Sequence, residues 1–461
     1  MEFSVAVVLL AVLLTAAVGL ISVVMNWIWF RPKRLEKCLR KQGFGGNPYR
    51  ILVGDSEEKA ELERTSKSAP IAFSDNISPR VLPFLHRTVQ LYGKKSFMWL
   101  GTSPAVNMAE TELIKDIFAR PTEFIKQDAN PLLKFVAQGV ATYNGEKWAK
   151  HRRIVNPAFY QEKLKLMVPA FLESSTEMIH KWEQLVSAEG KCEIDVWPDL
   201  LEMASDSISR TAFGSNYMEG KQMFDLLNEQ IDLTAKILQS YYIPGWRFVP
   251  TKTNREMKRF DKEIRTLLRK NIDKREKQIE AGEGNINDLL GLLLISNKNI
   301  SNGESMLSVD DVIEECKIFY LAGQLTLTNL LYPPVADLQR TTARETNIGD
   351  IVLPAGVNVV IPILLVQRDE ELWGRDACEF KPERFAGGIS AASRMQAMLL
   401  FFGRGPRVCI GQNYAWVEAK LVISMILQRF SFRVSPSYAH APHLGVIVKP
   451  QHGADLTFRR L

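Results

Sequence analysis

The stretch FFGRGPRVCIGQ, residues 401–412, surrounds a cysteine with glycines and arginines. Its glycines permit positive φ angles and a close approach of the backbone to other groups. A helical pattern starts directly after it, so backbone N–H groups of that helix can point at the sulfur of Cys409. The helix terminus and the nearby Arg407 both favour the thiolate, which is the form that binds a metal ion. The stretch therefore predicts that Cys409 ligates a metal and that Arg407 pairs with a planar anionic cofactor.

The other cysteines lack such a setting. The chain has five cysteines, which are widely scattered and include no CxxC pair. This arrangement argues against a disulfide framework and against a zinc site. The remaining four are expected to be small buried apolar residues: Cys38, Cys192, Cys316 and Cys378.

The cysteine loop resembles the haem-binding signature of the cytochromes P450. That signature places Phe, Gly, Arg, Cys and Gly at fixed positions within ten residues, and the matching residues here are Phe402, Gly405, Arg407, Cys409 and Gly411. The resemblance implies that Cys409 is the proximal ligand of the haem iron. In this family the thiolate pushes electron density toward bound O₂ and favours O–O cleavage.

Further segments resemble the same family in the same order along the chain. Trp148 and Arg152 match a Trp-xxx-Arg helix pair that contacts the haem propionates, and residues 382–385 match the PERF-type segment. The resemblance implies that Arg407 also holds a propionate. Arg340 matches a family position that often does so.

Three segments resemble plant members of the secologanin-synthase type, which oxidise terpenoids: residues 42–55, 151–159 and 435–443. The implied activity is that of a haem-thiolate monooxygenase. Such an enzyme takes two electrons from an NADPH-dependent flavoprotein reductase and inserts one oxygen atom from O₂ into a C–H bond. The substrate implied by the resemblance is an apolar terpenoid.

The N-terminal residues 3–30 carry no charge, and residues 5–24 alone match the ~20 residues that span the hydrocarbon of a bilayer. A cleaved signal peptide is the less favoured interpretation, because no basic region precedes the apolar run and the run is long. Basic residues follow it, so the remainder is expected to face the cytosol. The resemblance implies an anchor in the endoplasmic reticulum.

The excess of basic residues is local. The formal net charge of the chain is +6, and residues 31–42 contribute most of it, with six Lys or Arg against Glu36. The rest of the chain is almost neutral. A nucleic-acid partner is excluded on this ground, because such a protein needs a basic face on its folded domain.

Helical patterning dominates the chain of 461 residues, so we predict a mainly α protein with a minor β-sheet region. An amphipathic helix is predicted over residues 255–279, and a long helix is predicted from an N-cap at Ser308 to about Leu331. Residues 349–363 are predicted to form a β-hairpin with a Pro-Ala-Gly turn. The predicted organisation is a membrane anchor at 1–30, a basic juxtamembrane segment and linker or wrap at 31–79, and one P450-type domain at 80–461.

Two departures from the family affect the expected chemistry. The long helix reads AGQLTL over residues 322–327, which puts Leu325 where the family has a proton-relaying acid and leaves Thr326 with the hydroxyl. Thr326 is therefore the expected catalytic residue for proton delivery. General acid–base help is typically worth ~10² to 10⁴ in rate.

The second departure is a missing segment near residues 331 and 332, where the family carries a Glu-xx-Arg helix. Arg384 of the PERF-type segment is expected to lose its partners, and an unpaired buried charge typically costs ~3 to 5 kcal/mol. The alternative function is therefore a catalytically impaired truncated or spliced variant, acting as a non-enzymatic membrane-anchored binding protein or relic.

A further interpretation concerns the basic run around His151. The residues of this run are interpreted either as a docking surface for an acidic electron donor or as an ordinary solvated helix face: Lys147, Lys150, His151, Arg152 and Arg153.

Overall fold

The computed structural model describes residues 2–127, 131–136, 138–238, 246–282, 288–298, 307–325, 333–392 and 399–461. Helices account for most of them. The α-helices are α1 (Glu2–Met25), α2 (Arg31–Lys41), α3 (Ser56–Ser66), α4 (Ser78–Val81), α5 (Pro83–Tyr92), α6 (Thr111–Ala119), α7 (Gly145–Val155), α8 (Gln161–Glu189), α9 (Val196–Phe213), α10 (Tyr217–Leu238), α11 (Lys252–Glu280), α12 (Leu289–Lys298), α13 (Val309–Gln324), α14 (Ile363–Val366), α15 (Glu370–Trp373), α16 (Ile389–Ala392) and α17 (Gln412–Arg429).

The strands are short and form small sheets at the edges of the helical body. They are β1 (Phe97–Leu100), β2 (Ser103–Asn107), β3 (Phe124–Ile125), β4 (Cys192–Asp195), β5 (Leu338–Thr342), β6 (Thr346–Ile348), β7 (Ile351–Leu353), β8 (Asn358–Ile361), β9 (Phe430–Val434), β10 (Pro442–Leu444), β11 (Val448–Pro450) and β12 (Asp455–Arg460). The largest sheet has the order β1-β2-β8-β5-β3, and a second has the order β4-β12-β9. The prediction of a mainly α protein with a minor sheet region is confirmed.

The predicted hairpin at residues 349–363 is wrong. Its two strands, β7 and β8, do not pair with each other: β7 pairs with β6, and β8 pairs with β2 and β5. The Pro-Ala-Gly sequence does form a turn, but every residue of β8 is buried. The strand therefore lies in the middle of the larger sheet, where partners from distant parts of the chain satisfy its backbone.

The two predicted long helices form, with different ends. Helix α11 buries its apolar face, and the capping box of Ser308 with Asp311 starts α13. Helix α13 is described to Gln324, where the N–H of Leu325 bonds to the carbonyls of Ala322 and Gly323 in a tightened last turn. Residues 326–332, which include Thr326 and the predicted gap, lie outside the described part of the chain.

The N-terminal helix is apolar and exposed along its described side chains, with Leu13 and Leu20 each 66% accessible. A helix within Val7–Lys41 is long and apolar enough to cross a membrane. A π-helical turn at Asn26–Phe30 joins α1 to α2 without a loop.

Several residues between 31 and 49 hold this part of the chain against the body. Leu35 and Leu39 of α2 belong to the core under the larger sheet. The side chain of Gln42 exchanges two hydrogen bonds with the backbone of Val352, at 2.8 and 2.7 Å. Tyr49 donates to the carbonyl of Ile28 at 2.7 Å. The basic face of α2 therefore points outward while its apolar face is fixed to the domain.

The main helical core is built around α13. This helix packs on α9 and α11, and α17 packs on α8. Phe319 and Tyr320 of α13 are buried in the core, where the Tyr320 ring stacks on that of Phe213 with ring centroids 4.0 Å apart. The loop that carries Cys409 leads directly into α17, so this core fixes its position.

Candidate cofactor site around Cys409

The Cys409 loop is held by its own backbone. A 3₁₀ turn at Gly405–Arg407 precedes the cysteine, and the N–H of Cys409 donates to the carbonyl of Phe402 at 2.8 Å. The ring of Phe402 packs against Trp416 on the first turns of α17, with centroids 5.7 Å apart. The N–H of Gly411 bonds to the sulfur of Cys409. The loop therefore presents the sulfur in front of a helix N-terminus, as the sequence predicted.

The acidity of Cys409 differs from the expectation. The residue is exposed to solvent, yet the protein atoms around its sulfur raise the pKa of the thiol by burial. The Gly411 N–H and the charges of Arg152 and Lys126 lower the pKa but do not outweigh burial. The N–H at the helix N-terminus thus favours the thiolate, as predicted, while the favourable charges come from Arg152 and Lys126. A metal cation would provide the missing stabilisation, because a coordinating thiol is deprotonated.

The expectation that the other cysteines are buried holds only in part. Cys316 is buried, Cys38 and Cys192 are partly buried, and Cys378 is exposed. Cys378 follows the short helix α15 and is exposed on the surface. It therefore offers a natural control for Cys409.

Arg407 reaches from the cysteine loop to the segment before α7. Its Nη2 donates to the carbonyl of Tyr143 at 2.8 Å and to Oδ1 of Asn144 at 3.1 Å. Its guanidinium lies over the ring of Trp148, 4.5 Å from the centroid. Its Nε and Nη1 are buried and have no hydrogen-bond partner among the described residues. Burial, together with the charge of Arg340, lowers the pKa of Arg407 to about 10.

Helix α7 places the predicted Trp-xxx-Arg pair against the same loop. Trp148 is partly buried beneath the Arg407 guanidinium. Arg152, one turn later, donates through Nη1 to the carbonyl of Val408 at 2.9 Å. Burial lowers the pKa of Arg152, and the nearby Cys409 acts in the opposite direction. The sequence spacing of four residues thus puts both side chains on the face of α7 that meets the loop.

Arg340 lies on β5 and is 5% exposed. Its Nη1 donates to the carbonyl of Gln339 at 2.8 Å, and its guanidinium is 5.7 Å from the centroid of the Phe118 ring. Burial lowers its pKa to about 10. Arg340 thus lies close enough to Arg407 for its charge to help lower the pKa of Arg407.

Lys126 is a site residue that the sequence analysis missed. It follows β3, and its Nζ donates to the carbonyl of Ala141 at 2.5 Å. Burial lowers its pKa to about 7, and the charges of Arg340, Arg407 and Arg152 contribute in the same direction. No sequence signal marks this lysine, because its partners come from three distant segments.

The donor set fits a cofactor that carries a metal ion beside negative charges. A thiol lies among four cations, and two of the Arg407 donors have no partner among the described residues. Burying several like charges together is costly unless an anion compensates them. The propionates of a haem would supply two carboxylates at such a place. We call this set, composed of Lys126, Arg152, Arg340 and Arg407, the cation cluster.

The predicted loss of partners at Arg384 is wrong. Its Nη1 donates to the carbonyl of Trp373 at 2.6 Å, and its Nη2 donates to the carbonyl of Asp376 at 2.7 Å. The Asp376 carboxylate lies 2.9 Å from Nη2. Hydrogen bonds from Lys381 and Arg384 hold the pKa of Asp376 at about 2. Local carbonyls and one carboxylate therefore replace the partners that the family's helix supplies.

The docking interpretation of the basic run fails for its histidine. His151 is 1% exposed, and its Nδ1 lies 2.6 Å from Oε1 of the buried Glu315 on α13. Lys147 is on the surface but pairs with Asp311 at 3.1 Å. The face of α7 that carries His151 is thus internal and packs against α13.

Comparisons with known proteins show the family and the fold of the chain. A family model described as Cytochrome P450 matches residues 80–331 and 330–458. Cytochrome P450 72A397 of Kalopanax septemlobus is 44% identical over 493 residues, covering 95% of each chain. Secologanin synthase 1 of Catharanthus roseus is 41% identical over 496 residues, again covering 95% of each chain. A structure described as retinoic acid bound cyanobacterial CYP120A1 has the same fold, with a TM-score of 0.72 at 19% identity over 90% of this chain and 98% of that chain.

The alignments also locate a discontinuity. Cytochrome P450 72A552 of Barbarea vulgaris is 43% identical over 513 aligned positions that cover 100% of both chains. Because this chain has 461 residues, 52 of those positions have no counterpart in it. The two parts of the family match meet at residues 330 and 331.

Proposed function

Because this chain belongs to the cytochrome P450 family, we propose that it is a haem-thiolate monooxygenase that inserts one oxygen atom from O₂ into an apolar, terpenoid substrate. Members of the family are oxidoreductases with haem as cofactor, and they depend on a redox partner. The observation that carries the proposal is the cation cluster beside Cys409, whose charges the described protein groups leave uncompensated.

In the proposed site, Cys409 ligates the iron, and the cation cluster with Trp148 holds the propionates. Bound haem supplies the activation of O₂. Arg407 would contribute its free Nε and Nη1, while its Nη2 stays fixed by Tyr143 and Asn144. Charge-assisted bonds of this kind are roughly twice as strong as neutral ones, so they favour retention of the cofactor. Phe402, Gly405 and Gly411 would shape the loop around the sulfur.

Proton delivery is the weakest part of the proposed machinery. Leu325 caps α13 at the position of the family's acid and has no ionisable group. Thr326 is therefore the proposed donor side chain. Without a carboxylate partner, we expect part of the reducing power to be lost as reduced oxygen and not to appear in product.

The proposed electron donor is an NADPH-dependent flavoprotein reductase, and the proposed location is the endoplasmic reticulum membrane with the domain facing the cytosol. The apolar α1 and the basic α2 that follows it support this arrangement. The proposed organisation is an anchor at 1–30, a basic juxtamembrane segment and linker at 31–79, and the oxygenase domain at 80–461. We also propose that the 52 unmatched positions correspond largely to a segment missing near residues 331 and 332.

A non-enzymatic relic is not favoured. The family match extends over most of the chain, and the residues proposed to bind haem are all retained. Arg384 does not weaken the fold as an unpaired buried charge would, because it is paired with Asp376 and with the carbonyl of Trp373.

The test uses membranes that contain the full chain together with a plant reductase. We expect the reduced, carbon-monoxide-treated sample to show the strongly red-shifted Soret band of a thiolate-bound haem. Cys409→Ser should abolish that band, whereas Cys378→Ser, which alters another exposed cysteine, should leave it unchanged. NADPH consumption accompanied by hydroxylated product from a terpenoid panel would support the oxygenase proposal. A chain that folds but gives neither the band nor product would refute it.

A further inference from the structure

Glu315 lies on α13, outside the set of residues proposed to touch the haem, and is fully buried. Its Oε1 accepts the N–H of Val140 at 2.8 Å and lies 2.6 Å from Nδ1 of His151. Its Oε2 is buried and has no partner among the described residues. A buried carboxylate oxygen without a partner costs stability, and natural proteins tolerate such costs mainly at functional sites.

The first contact of Glu315 Oε1 holds the segment 138–144. Oε1 takes the N–H of Val140, and the neighbouring Glu314 takes the N–H of Gln138 at 3.0 Å. Gly139 has φ +71°, and a Cβ at this position would lie 2.6 Å from Oε1 of Glu315. The segment therefore approaches the carboxylate more closely than any other residue at position 139 would allow. Two adjacent carboxylates of α13 thus fasten this turn to the helix.

The same segment seats two members of the cation cluster. The carbonyl of Ala141 accepts the Nζ of Lys126, and the carbonyl of Tyr143 accepts Nη2 of Arg407. Asn144 adds an acceptor for Arg407 and bonds to the backbone of Lys126 in both directions, each at 3.0 Å. A displacement of this segment would therefore move both cations together.

The second contact of Glu315 Oε1, with His151, holds α7. His151 is 1% exposed and adjoins Arg152, and it lies one turn from Trp148 on the same helix. Its Nε2 lies 3.5 Å from Oδ1 of Asp311, so carboxylates face both ring nitrogens. Through His151, Glu315 fixes the rotation of α7 about its axis.

We propose that Glu315 is a positioning residue. It joins α13 to the segment 138–144, which accepts hydrogen bonds from Lys126 and Arg407, and to α7, which carries Trp148 and Arg152, and so sets the geometry of these side chains toward the haem carboxylates. This inference rests on the proposed function. Groups that orient the direct binding residues of a metal site typically contribute 10- to 100-fold to affinity or activity. Glu315 contacts none of the reacting atoms and acts only through the cluster.

The test measures haem release from the purified, detergent-solubilised holoprotein to an excess of a high-affinity haem acceptor. Glu315→Gln keeps the shape of the side chain and an acceptor for Val140, but it loses the charge opposite His151. We expect haem release to be about tenfold faster than in wild type. His151→Gln removes the other partner of the same contact and should give a similar increase, so the proposal remains testable if one variant fails to fold.

The matched control is Asp288→Asn. Asp288 is also buried, lies 2.5 Å from Arg275 and caps α12 through the N–H of Gly291. Helix α12 packs on α7, but the hydrogen bonds of Asp288 go neither to the partners of Glu315 nor to the cation cluster. Its substitution should lower the thermal midpoint by a similar amount and change haem release less than twofold. Equal acceleration in the control at an equal loss of midpoint would overturn the proposal, because a general loss of stability would then explain the effect.

A double variant adds a readout that a merely structural role would not change. Because Glu315 acts in part by holding the acceptor of Lys126, the effect of Glu315→Gln on release should be smaller in a Lys126→Met background. Fully additive effects would overturn the part of the proposal that concerns Lys126, and release at the wild-type rate in Glu315→Gln would overturn all of it. A wild-type chain that binds no haem at all refutes the proposed function first and this inference with it, which distinguishes the two failures.

Discussion

Gly405, two residues before Arg407, offers the sharpest test of how the cysteine loop is held. Its φ is +72°, and a Cβ added there would lie 2.5 Å from the carbonyl oxygen of Phe118, the penultimate residue of α6. Gly403 in the same loop has nearly the same φ, +70°, but the nearest atom to its added Cβ is Cδ1 of Leu338 at 3.9 Å. Alanine at the two positions therefore introduces the same backbone strain and a very different steric contact.

The magnitudes follow from this difference. An alanine in the left-handed region costs ~1 to 2 kcal/mol, and this cost applies to both variants. In Gly405→Ala the loop and Phe118 must also separate by roughly 0.9 Å, the gap between 2.5 Å and ordinary contact at 3.4 Å. The neighbouring atom is a backbone oxygen that cannot rotate away, so overpacking adds ~1 to 3 kcal/mol. We expect Gly405→Ala to lose ~2 to 5 kcal/mol and Gly403→Ala ~1 to 2 kcal/mol.

The assay combines urea unfolding of both variants with haem content per polypeptide after purification. Because the turn at Gly405–Arg407 must shift, we expect Gly405→Ala to lose most of its haem and Gly403→Ala to keep most of it. Similar losses of stability and haem in the two variants would refute the reasoning. They would indicate that backbone strain alone governs this loop and that its approach to Phe118 is unimportant.

Two further predictions concern charged residues. Burial lowers the pKa of Lys126 to about 7, so the site without haem carries this positive charge only below about neutral pH; binding of a carboxylate raises that pKa, and haem affinity should therefore fall as the pH rises above 7. Equilibrium haem titrations across this range should show that dependence in wild type but not in Lys126→Met, and an identical pH dependence in both would contradict the assignment. Arg384→Ala leaves the carbonyls of Trp373 and Asp376 without their donor and should cost ~2 kcal/mol in urea unfolding, with Arg384→Lys losing less. Unchanged stability in Arg384→Ala would show that water replaces the guanidinium.

Local patterns gave reliable expectations where the chemistry depends on neighbours in the chain. The spacing of Phe402, Arg407 and Cys409 indicated a loop ahead of a helix, and the structure has the 3₁₀ turn at Gly405–Arg407 and α17 from Gln412. The four-residue interval between Trp148 and Arg152 placed both on one face of α7. In each case helix or turn geometry alone fixes the arrangement.

Features that depend on contacts between distant segments were not predictable in this way. Lys126 acquires its low pKa because distant segments of the chain bury it and bring three arginines near it. The strand β8 turned out to pair with β2 and β5, since a turn sequence predicts a reversal of direction but not the partner of the strand that follows. Arg384 found acceptors in backbone carbonyls, which no side-chain motif reveals.

The absence of a loop between α1 and α2 constrains the whole molecule. The helical path from Glu2 to Lys41 extends about 60 Å at 1.5 Å per residue, and its last third is fixed to the domain through Leu35, Leu39 and Gln42. Once α1 is embedded in a lipid layer, the domain can neither rotate nor change its height above the lipid without moving α1. The tilt of the helix therefore determines the height and orientation of the Cys409 loop above the lipid. An encounter with another membrane-bound protein then requires only translation and rotation within the plane of the membrane.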